Sequence, residues 1–158
     1  MTSRTSRLPL LVLVVLALSG CSAAVGTDDT ASAPGGSIEL AVSETCADET
    51  SPNCIAVDGE KIVSPSAFER ANVEEATIAE GAGQNAVDVT FNEKGAMVFQ
   101  ALTDKAMQAG ESARLVIKIG GEIQAAVRVM EAIQGDHVQL SASPENSAQE
   151  ILDLIRKG

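Results

Sequence analysis

Aromatic and basic side chains are scarce in this sequence. It contains three phenylalanines, no tryptophan and no tyrosine, and its 11 lysines and arginines stand against 22 aspartates and glutamates. The scarcity of aromatic rings excludes base-stacking platforms and aromatic sugar-binding cages. The net charge of -11 argues against a nucleic-acid partner, because phosphate backbones are bound through stripes of lysine and arginine. The length of 158 residues indicates one globular domain.

A long membrane-spanning run is also missing, and the apolar run that is present has the length of an export signal. Arg4 and Arg7 form a positive start, and the apolar stretch Leu8–Leu18 follows. A bilayer span needs roughly 20 apolar residues, so this stretch is too short to cross a membrane. A short apolar run behind two arginines is typical of a signal peptide. We therefore predict that residues 1–20 are a signal peptide.

The predicted signal peptide ends in the sequence Leu18-Ser19-Gly20-Cys21, which resembles the lipobox of bacterial lipoproteins. The resemblance implies cleavage before Cys21 and attachment of diacylglyceryl to its thiol. The alternative is an ordinary signal peptide with an incidental cysteine at this position. Residues 21–36 are rich in small and polar side chains and are expected to form a flexible tether. Residues 37–158 are expected to form the folded domain.

Lipid on Cys21 would make the membrane a partner and would hold the protein at the extracytoplasmic face of the cell membrane. Removal of the signal peptide takes away Arg4 and Arg7, which leaves 9 basic against 22 acidic side chains and a net charge of -13. An anionic membrane surface would repel such a domain. The lipid therefore has to provide the attachment.

Two further cysteines, Cys46 and Cys54, lie in the folded part of the chain. An exported protein meets an oxidising compartment, so we predict a disulfide between them. A redox pair and a metal site are the alternatives. A redox pair is more typically Cys-x-x-Cys, and a metal site would want further cysteine or histidine ligands nearby.

Apolar alternation and turn residues predict strands in the first half of the domain. We expect strands at 37–42, 55–57 and 62–63, the last two joined by the Asp58-Gly59 turn, and a less regular strand at 73–79. Ser64 and Pro65 have the pattern of a helix start, so a short helix containing Phe68 and Ala71 is expected after them.

The pattern is clearer from residue 86 onward. Strands are expected at 87–91, 115–119, 123–129 and 138–142, and Gly120-Gly121 forms the turn of a hairpin. Asn92 should cap a helix that runs to Ala109 and stops at Gly110. A final amphipathic helix should begin at Ser143–Glu145 and end near Arg156 and Lys157. The prediction is an α+β fold, with an antiparallel-rich sheet and helices packed on one face.

Residues that could carry chemistry are few. His137 is the one histidine, and no nucleophile-elbow motif accompanies it, so we interpret it as a surface or turn residue. The pairs Glu74–Glu75 and Asp48–Glu49 are interpreted as solvated acidic surface. The sequence lacks a calcium-binding loop and a phosphate-binding glycine loop, and we expect no enzymatic activity, cofactor or metal. Three methionines have core spacing and are expected to pack inside the domain, namely Met97, Met107 and Met130.

The stretch from Val87 to Gly158 resembles the head subdomain in the first extracytoplasmic domain of SecD, a protein-export subunit. The resemblance is carried by Val87–Phe91, Gly95, Phe99, Leu102-Thr103, Arg114–Ile123, Ile133–Gly135, Val138–Ser141, Ala148, Ile151-Leu152 and Gly158. The segment Val57–Val63 also fits the family pattern. Gln124–Ala126 departs from the family's Ser-Ala-Pro, and Gln134-Gly135 departs from its Gly-Gly. The resemblance implies a SecD-head-like module held at the membrane by lipid rather than by membrane helices.

Two hypotheses of function follow, and a third is weak. The first is a non-enzymatic lipoprotein that binds exported polypeptides or an envelope partner such as the translocon, with an exposed sheet edge that could accept an extended peptide. The second is a structural or regulatory envelope lipoprotein that uses the same fold without a role in secretion. The third is a hydrolase centred on His137. Fold alone does not decide among them.

Overall fold

The computed structural model of the protein describes residues 35–81, 85–143 and 146–158. The predicted signal peptide, Cys21 with its predicted lipid, and most of the predicted tether lie outside the described residues. In the described part of the chain, neither helix has the length and hydropathy needed to cross a bilayer.

The described residues contain eight strands and two helices. In chain order they are β1 (Ser37–Glu44), β2 (Cys54–Val57), β3 (Glu60–Val63), β4 (Glu69–Ile78), β5 (Ala86–Phe91), α1 (Glu93–Ala109), β6 (Ala113–Ile119), β7 (Glu122–Val127), β8 (His137–Ser141) and α2 (Ala148–Lys157). Six strands form one curled antiparallel sheet in the order β7-β6-β1-β4-β5-β8, and β2 pairs with β3. The predicted α+β class, with helices on one face, is confirmed.

Both helices begin at side-chain caps. The Asn92 side chain accepts a hydrogen bond from the Gly95 N–H at the start of α1. Ser147 and Glu150 form a capping box at the start of α2, and this hydrogen bonding lowers the pKa of Glu150. Gly95 lets α1 approach β4 closely, because a Cβ at this position would lie 2.2 Å from the Asn72 carbonyl oxygen.

The main core lies between the helices and the inner face of the sheet. Inward side chains of alternate strand positions, such as Ile38, Val89 and Ile117, pack against Phe99 of α1 and Ile155 of α2. The ring of Phe99 also lies 5.0 Å from the ring of Phe91, centroid to centroid. This layering places both helices against one face and leaves the outer face of the sheet to be covered separately.

The β2–β3 hairpin covers part of the outer face. Ile62 and Val57 are buried there against Ala41, Val116 and Ala126. A disulfide joins Cys46, just beyond β1, to Cys54 at the start of β2, with Cα atoms 6.1 Å apart. The Cys46 N–H also donates to the Lys61 carbonyl at 2.9 Å. The hairpin is thus fastened to the sheet by a covalent bond and by backbone hydrogen bonds.

The predicted helix after Ser64-Pro65 is absent from the structure, and this prediction is wrong. The chain is extended from Glu69, where β4 begins and pairs with β1. Phe68 lies against the outer-face cluster, under the Lys118 ammonium at 4.8 Å from the ring centroid. Strand pairing outweighs the tendency of Ser64-Pro65 to start a helix, since Ala71 and Val73 become fully buried in the centre of the sheet.

Two predicted boundaries also differ from the structure, and β4 contains an irregularity. The final helix is capped by Ser147 rather than starting at Ser143, and β7 ends at Val127 instead of residue 129. In β4 the pairing register shifts between Val73 and Glu75. This irregularity explains why Glu74 and Glu75 are both exposed although they are adjacent in a strand.

Candidate functional site

An apolar groove lies between β7 and β8, the two edge strands of the curled sheet. Within the described residues no backbone pairing joins these strands, so the sheet leaves a gap between its first and last members. The cavity has a volume of about 490 Å³. Its lining is mainly apolar, and its volume lies in the range of roughly 300–1,000 Å³ that is usual for ligand pockets.

The floor of the groove belongs to the core. Leu115, Ile117 and Ile119 project from β6, where the alternation of the strand turns every second side chain inward. Phe99 of α1 and Ile151 of α2 complete the floor. These side chains are almost fully buried, so the floor is a rigid part of the domain.

The rim of the groove is formed by the segment 128–136, which connects β7 to β8 and is called the strap below. Met130 on the strap is 75% exposed, and Val127 at the end of β7 is 42% exposed. Val129 and Ile133 are half-buried against the core. Large apolar side chains are therefore presented to solvent beside an apolar cavity, an arrangement that can receive an apolar ligand.

The expectation that the three methionines pack in the core is wrong. Met97, Met107 and Met130 are 58%, 40% and 75% exposed. Only position 130 lines the groove among these three. A methionine is flexible and polarisable, so at a rim it can adapt to partners of different shape.

Hydrogen bonds fasten the strap to α1 and, through the Phe91 N–H that donates to the Asp136 carbonyl at 2.7 Å, to β5. The hydroxyl of Thr103, which is fully buried on α1, accepts from the Ile133 N–H at 3.4 Å and donates to the Gln100 carbonyl at 2.9 Å. The Gln100 side-chain amide donates to the Gly135 carbonyl at 3.3 Å. One ion pair, between Arg128 and Glu111 at 3.0 Å, holds the other side of the strap near the groove.

A network of amide side chains connects to the groove at Gln124, which is one of its lining residues. Asn146, just before α2, donates to the Gln124 side-chain oxygen at 3.0 Å, and Gln124 lies at an irregularity of β7. The side-chain NH2 group of Asn85 donates to the backbone carbonyl of Asn146 at 2.7 Å. The side-chain oxygen of Asn85 accepts from the Ala148 N–H at 2.6 Å. The start of α2 is thereby linked both to β5 and to the opposite rim.

Comparison with known families identifies the domain. The family model described as SecDF, P1 head subdomain, matches residues 42–158. The chain belongs to this family. The SecD-like pattern found in the sequence is therefore confirmed, and the matched range includes every strand and helix that lines the groove.

A solved structure of SecDF also matches this P1 head chain. That protein is described as a membrane component that enhances protein export. The match has a TM-score of 0.49 and 16% sequence identity, and it covers 77% of this chain and 64% of the SecDF chain. A search of curated protein sequences returned no significant match.

The histidine and the acidic pairs considered in the sequence lie in separate parts of this P1 head domain. His137 is exposed at the start of β8, with its Nε2 atom 3.9 Å from a carboxylate oxygen of Asp88. In the described ranges, no three histidine, cysteine, aspartate or glutamate side chains are grouped so that they could hold a metal. Asp48 instead accepts from the Thr50 hydroxyl and N–H in the loop closed by the disulfide, and these hydrogen bonds lower its pKa.

Sequence reasoning missed the groove of the P1 head domain. Its lining residues were predicted as strand residues, but nothing in the chain indicated that β7 and β8 face each other across a gap. One signal was available, since the apolar alternation of β7 continues from Val127, the last paired residue, to Val129 beyond the strand. Apolar residues that continue past the last cross-strand partner indicate a surface that another element or a ligand can cover.

Proposed function

We propose that this protein is a non-enzymatic, membrane-anchored lipoprotein whose P1 head domain binds apolar segments of exported polypeptides. The observation that carries the proposal is the apolar groove between β7 and β8, open at a rim that exposes Val127 and Met130. Membership of the SecDF P1 head family supports a role connected with protein export.

The physical basis of binding is burial of apolar surface. An exported polypeptide that has not yet folded exposes apolar side chains, and each square ångström of them removed from water contributes about 25 cal/mol. The groove offers this burial with few fixed polar groups, because most of its lining is aliphatic or aromatic. Such a surface recognises apolar character more than one defined sequence, which suits many different clients.

The proposed position of the domain follows from Cys21. Lipid on this residue would hold the domain at the extracytoplasmic face of the membrane, beside the translocon from which exported chains emerge. Gly35 and Gly36 are buried against the domain, so the tether available is residues 22–34. These extend to roughly 43 Å at about 3.3 Å per residue, and a coiled tether reaches less. The groove would then sample the space just outside the membrane.

Two exposed methionines provide a matched test of the groove. The purified domain is titrated against reduced, carboxymethylated lactalbumin as an unfolded probe. Met130→Asp, on the rim, should weaken binding about tenfold, because about 1.5 kcal/mol of apolar burial is lost. Met97→Asp, an exposed methionine outside the groove, should leave affinity unchanged. Absence of binding by the unaltered domain, or equal effects of the two changes, would contradict the proposal.

Crosslinking in cells distinguishes the export role from the alternative. A photoreactive amino acid in place of Met130 should capture translocon subunits or exported chains. The same group in place of Met97 reports captures that do not involve the groove. If position 130 captured only other envelope proteins, the domain would be the structural or regulatory lipoprotein of the second hypothesis.

A further inference from the structure

The free edge of β8 has a defined set of unpaired backbone groups. The Phe91 N–H donates to the Asp136 carbonyl at 2.7 Å, and the Ala142 N–H donates to the Asn85 carbonyl at 2.8 Å. In an antiparallel ladder, hydrogen-bonded pairs alternate with pairs that make no backbone hydrogen bond. Between these two fixed ends, the bonded pairs are Val89 with Val138 and Val87 with Leu140.

The remaining β8 residues therefore direct their backbone groups away from β5. The N–H and C=O groups of His137, Gln139 and Ser141 point to the free edge. Within the described parts of the chain, no hydrogen bond to these backbone groups is present. An edge of this kind is a template for another strand, because each group regains a hydrogen bond when an extended chain is added.

The other edge of the groove is less suited to strand addition. The register of β7 against β6 shifts between Ile117 and Lys118, which leaves Gln124 as an extra residue. Irregularities of this type twist an edge strand and interrupt its regular row of backbone groups. By contrast, β8 pairs with β5 in one continuous register over its whole length.

The side chains of β8 determine which residues of an added strand would enter the groove. Val138 and Leu140 line the groove and pack against the core, whereas the side chains of the residues between and beside them are exposed. Residues of an added strand opposite Val138 and Leu140 would point to the same side and would enter the cavity. The alternate residues would remain on the outer face.

The outer face beside β8 is acidic. Asp88 accepts a hydrogen bond from the Gln139 side chain at 2.9 Å and lies 3.9 Å from His137. Glu75 of β4 is exposed on the same face, opposite Thr90, which in turn lies opposite His137. Basic side chains at the alternate positions of an added strand would therefore meet charges of opposite sign.

We propose that the groove takes an extended polypeptide segment that pairs antiparallel with β8 through His137, Gln139 and Ser141. The segment carries apolar residues at alternate positions, facing the cavity, and polar or basic residues between them. It needs about five residues, the length of β8. This inference rests on the proposed function, since it specifies how an exported chain would lie in the same groove.

A synthetic peptide of alternating valine and lysine tests the backbone pairing. In the proposed arrangement valines face the cavity, and lysines lie opposite His137, Gln139 and Ser141, so the lysine N–H groups donate to β8. N-methylation of the lysines should weaken binding by about tenfold or more, whereas N-methylation of the valines should be tolerated. Equal affinities of the two methylated peptides, or a selective loss for methylated valines, would overturn the proposal.

A substitution in β8 tests the same hydrogen bonds from the protein. Gln139→Pro removes an N–H that β5 does not use, and proline is tolerated on edge strands at such positions. Peptide affinity should fall about tenfold. Gln139→Ala is the control, because it also removes the side-chain contact with Asp88 but keeps the N–H. Equal affinities of the two variants, with native amide spectra for both, would overturn the pairing.

Failure of the inference is separable from failure of the proposed function. Binding of the unfolded lactalbumin probe with sensitivity to Met130→Asp, but without sensitivity to Gln139→Pro, would retain a polypeptide-binding groove and exclude strand addition to β8. Loss of all probe binding in the unaltered protein would remove both.

Discussion

Arg114 and Glu60 form the ion pair that ties the β2–β3 hairpin to β6. The guanidinium contacts both carboxylate oxygens, and the side chains are 12% and 42% exposed. The hydrogen bond from Arg114 lowers the pKa of Glu60. Because the folded-state pKa is the lower one, the pair stabilises the fold above the ordinary glutamate range, and this contribution is lost as the pH falls through the folded-state value.

We expect Glu60→Gln to show this dependence directly. At pH 7 the free energy of unfolding of the variant should be about 0.5–1 kcal/mol lower than that of the unaltered protein. This value allows for solvent screening at a partly exposed pair. The difference should shrink as the pH falls below the usual glutamate pKa of 4.5. Urea unfolding at pH 7 and pH 3 measures it, and a difference that stayed constant with pH would contradict the assignment.

Single residues were predictable where a local rule governs them. Asn92 caps α1 as expected, and Gly110 ends it, because a cap needs only its own helix turn. The exposure of Met130 was not predictable, since strand-like spacing does not report whether a partner element covers the side chain. Ser143 and Ser147 both had the chemistry of a cap, and only Ser147 is followed at the right spacing by Glu150, which completes a capping box.

At the scale of elements, the disulfide and the groove lie at opposite ends of the β2–β3 hairpin. The disulfide is at the start of β2, whereas Asp58, in the turn after β2, lines the groove. The Cys46–Cys54 bond closes a short loop on the outer side, whereas the groove opens on the side of the helices. Replacing both cysteines by serine should lower the free energy of unfolding by about 2 kcal/mol, the range for a short closed loop. Affinity for the unfolded probe should not change.

Chemical unfolding and probe titration of the double serine variant test both statements. Reduction of the unaltered protein serves as the control, since it should reproduce the loss of stability without a change of sequence. A marked loss of probe affinity in the variant would mean that the position of the Asp58 turn at the groove depends on the disulfide at the other end of the hairpin.

The element order was largely predictable, and the exception has a physical explanation. Alternation correctly indicated β1, β5, β6 and β8, although Ala41 of β1 and Val116 of β6 are also buried on the outer face under the hairpin. The segment around Ser64-Pro65 has a helix-start pattern, yet the following residues build a ten-residue strand. Pairing of β4 with both β1 and β5 outweighs a local preference, which is worth only a fraction of a kilocalorie per residue.

At the scale of the whole molecule, the groove arises from curvature that no local pattern encodes. The six strands curl so that β7 and β8, far apart in the strand order, become the two sides of one cavity. Family resemblance therefore contributed what periodicity could not, namely that the strands and helices belong to a known head domain. The charge of the chain adds a constraint on where this domain can be held.

The attachment to the membrane is predicted to depend on the lipid alone. After the proposed cleavage the net charge is -13, and a chain of this charge has no electrostatic attraction to an anionic surface. We expect labelled palmitate to be incorporated into the unaltered protein and not into Cys21→Ser. Replacing residues 1–21 by an ordinary cleavable export signal should release the folded protein from the membrane fraction.

The double variant with serine at positions 46 and 54 should still incorporate palmitate. Together with loss of the label in Cys21→Ser, this result would assign the lipid to the Cys21 thiol.

Raising the salt concentration should not move the released protein onto anionic vesicles, because screening can only weaken a repulsion and cannot create an attraction. Retention of the released form in membranes would show instead that a protein partner holds the domain there. In that case the groove and its edge strand β8 would be the first surfaces to mutate in search of the partner's binding site. They expose apolar side chains and unpaired backbone groups together.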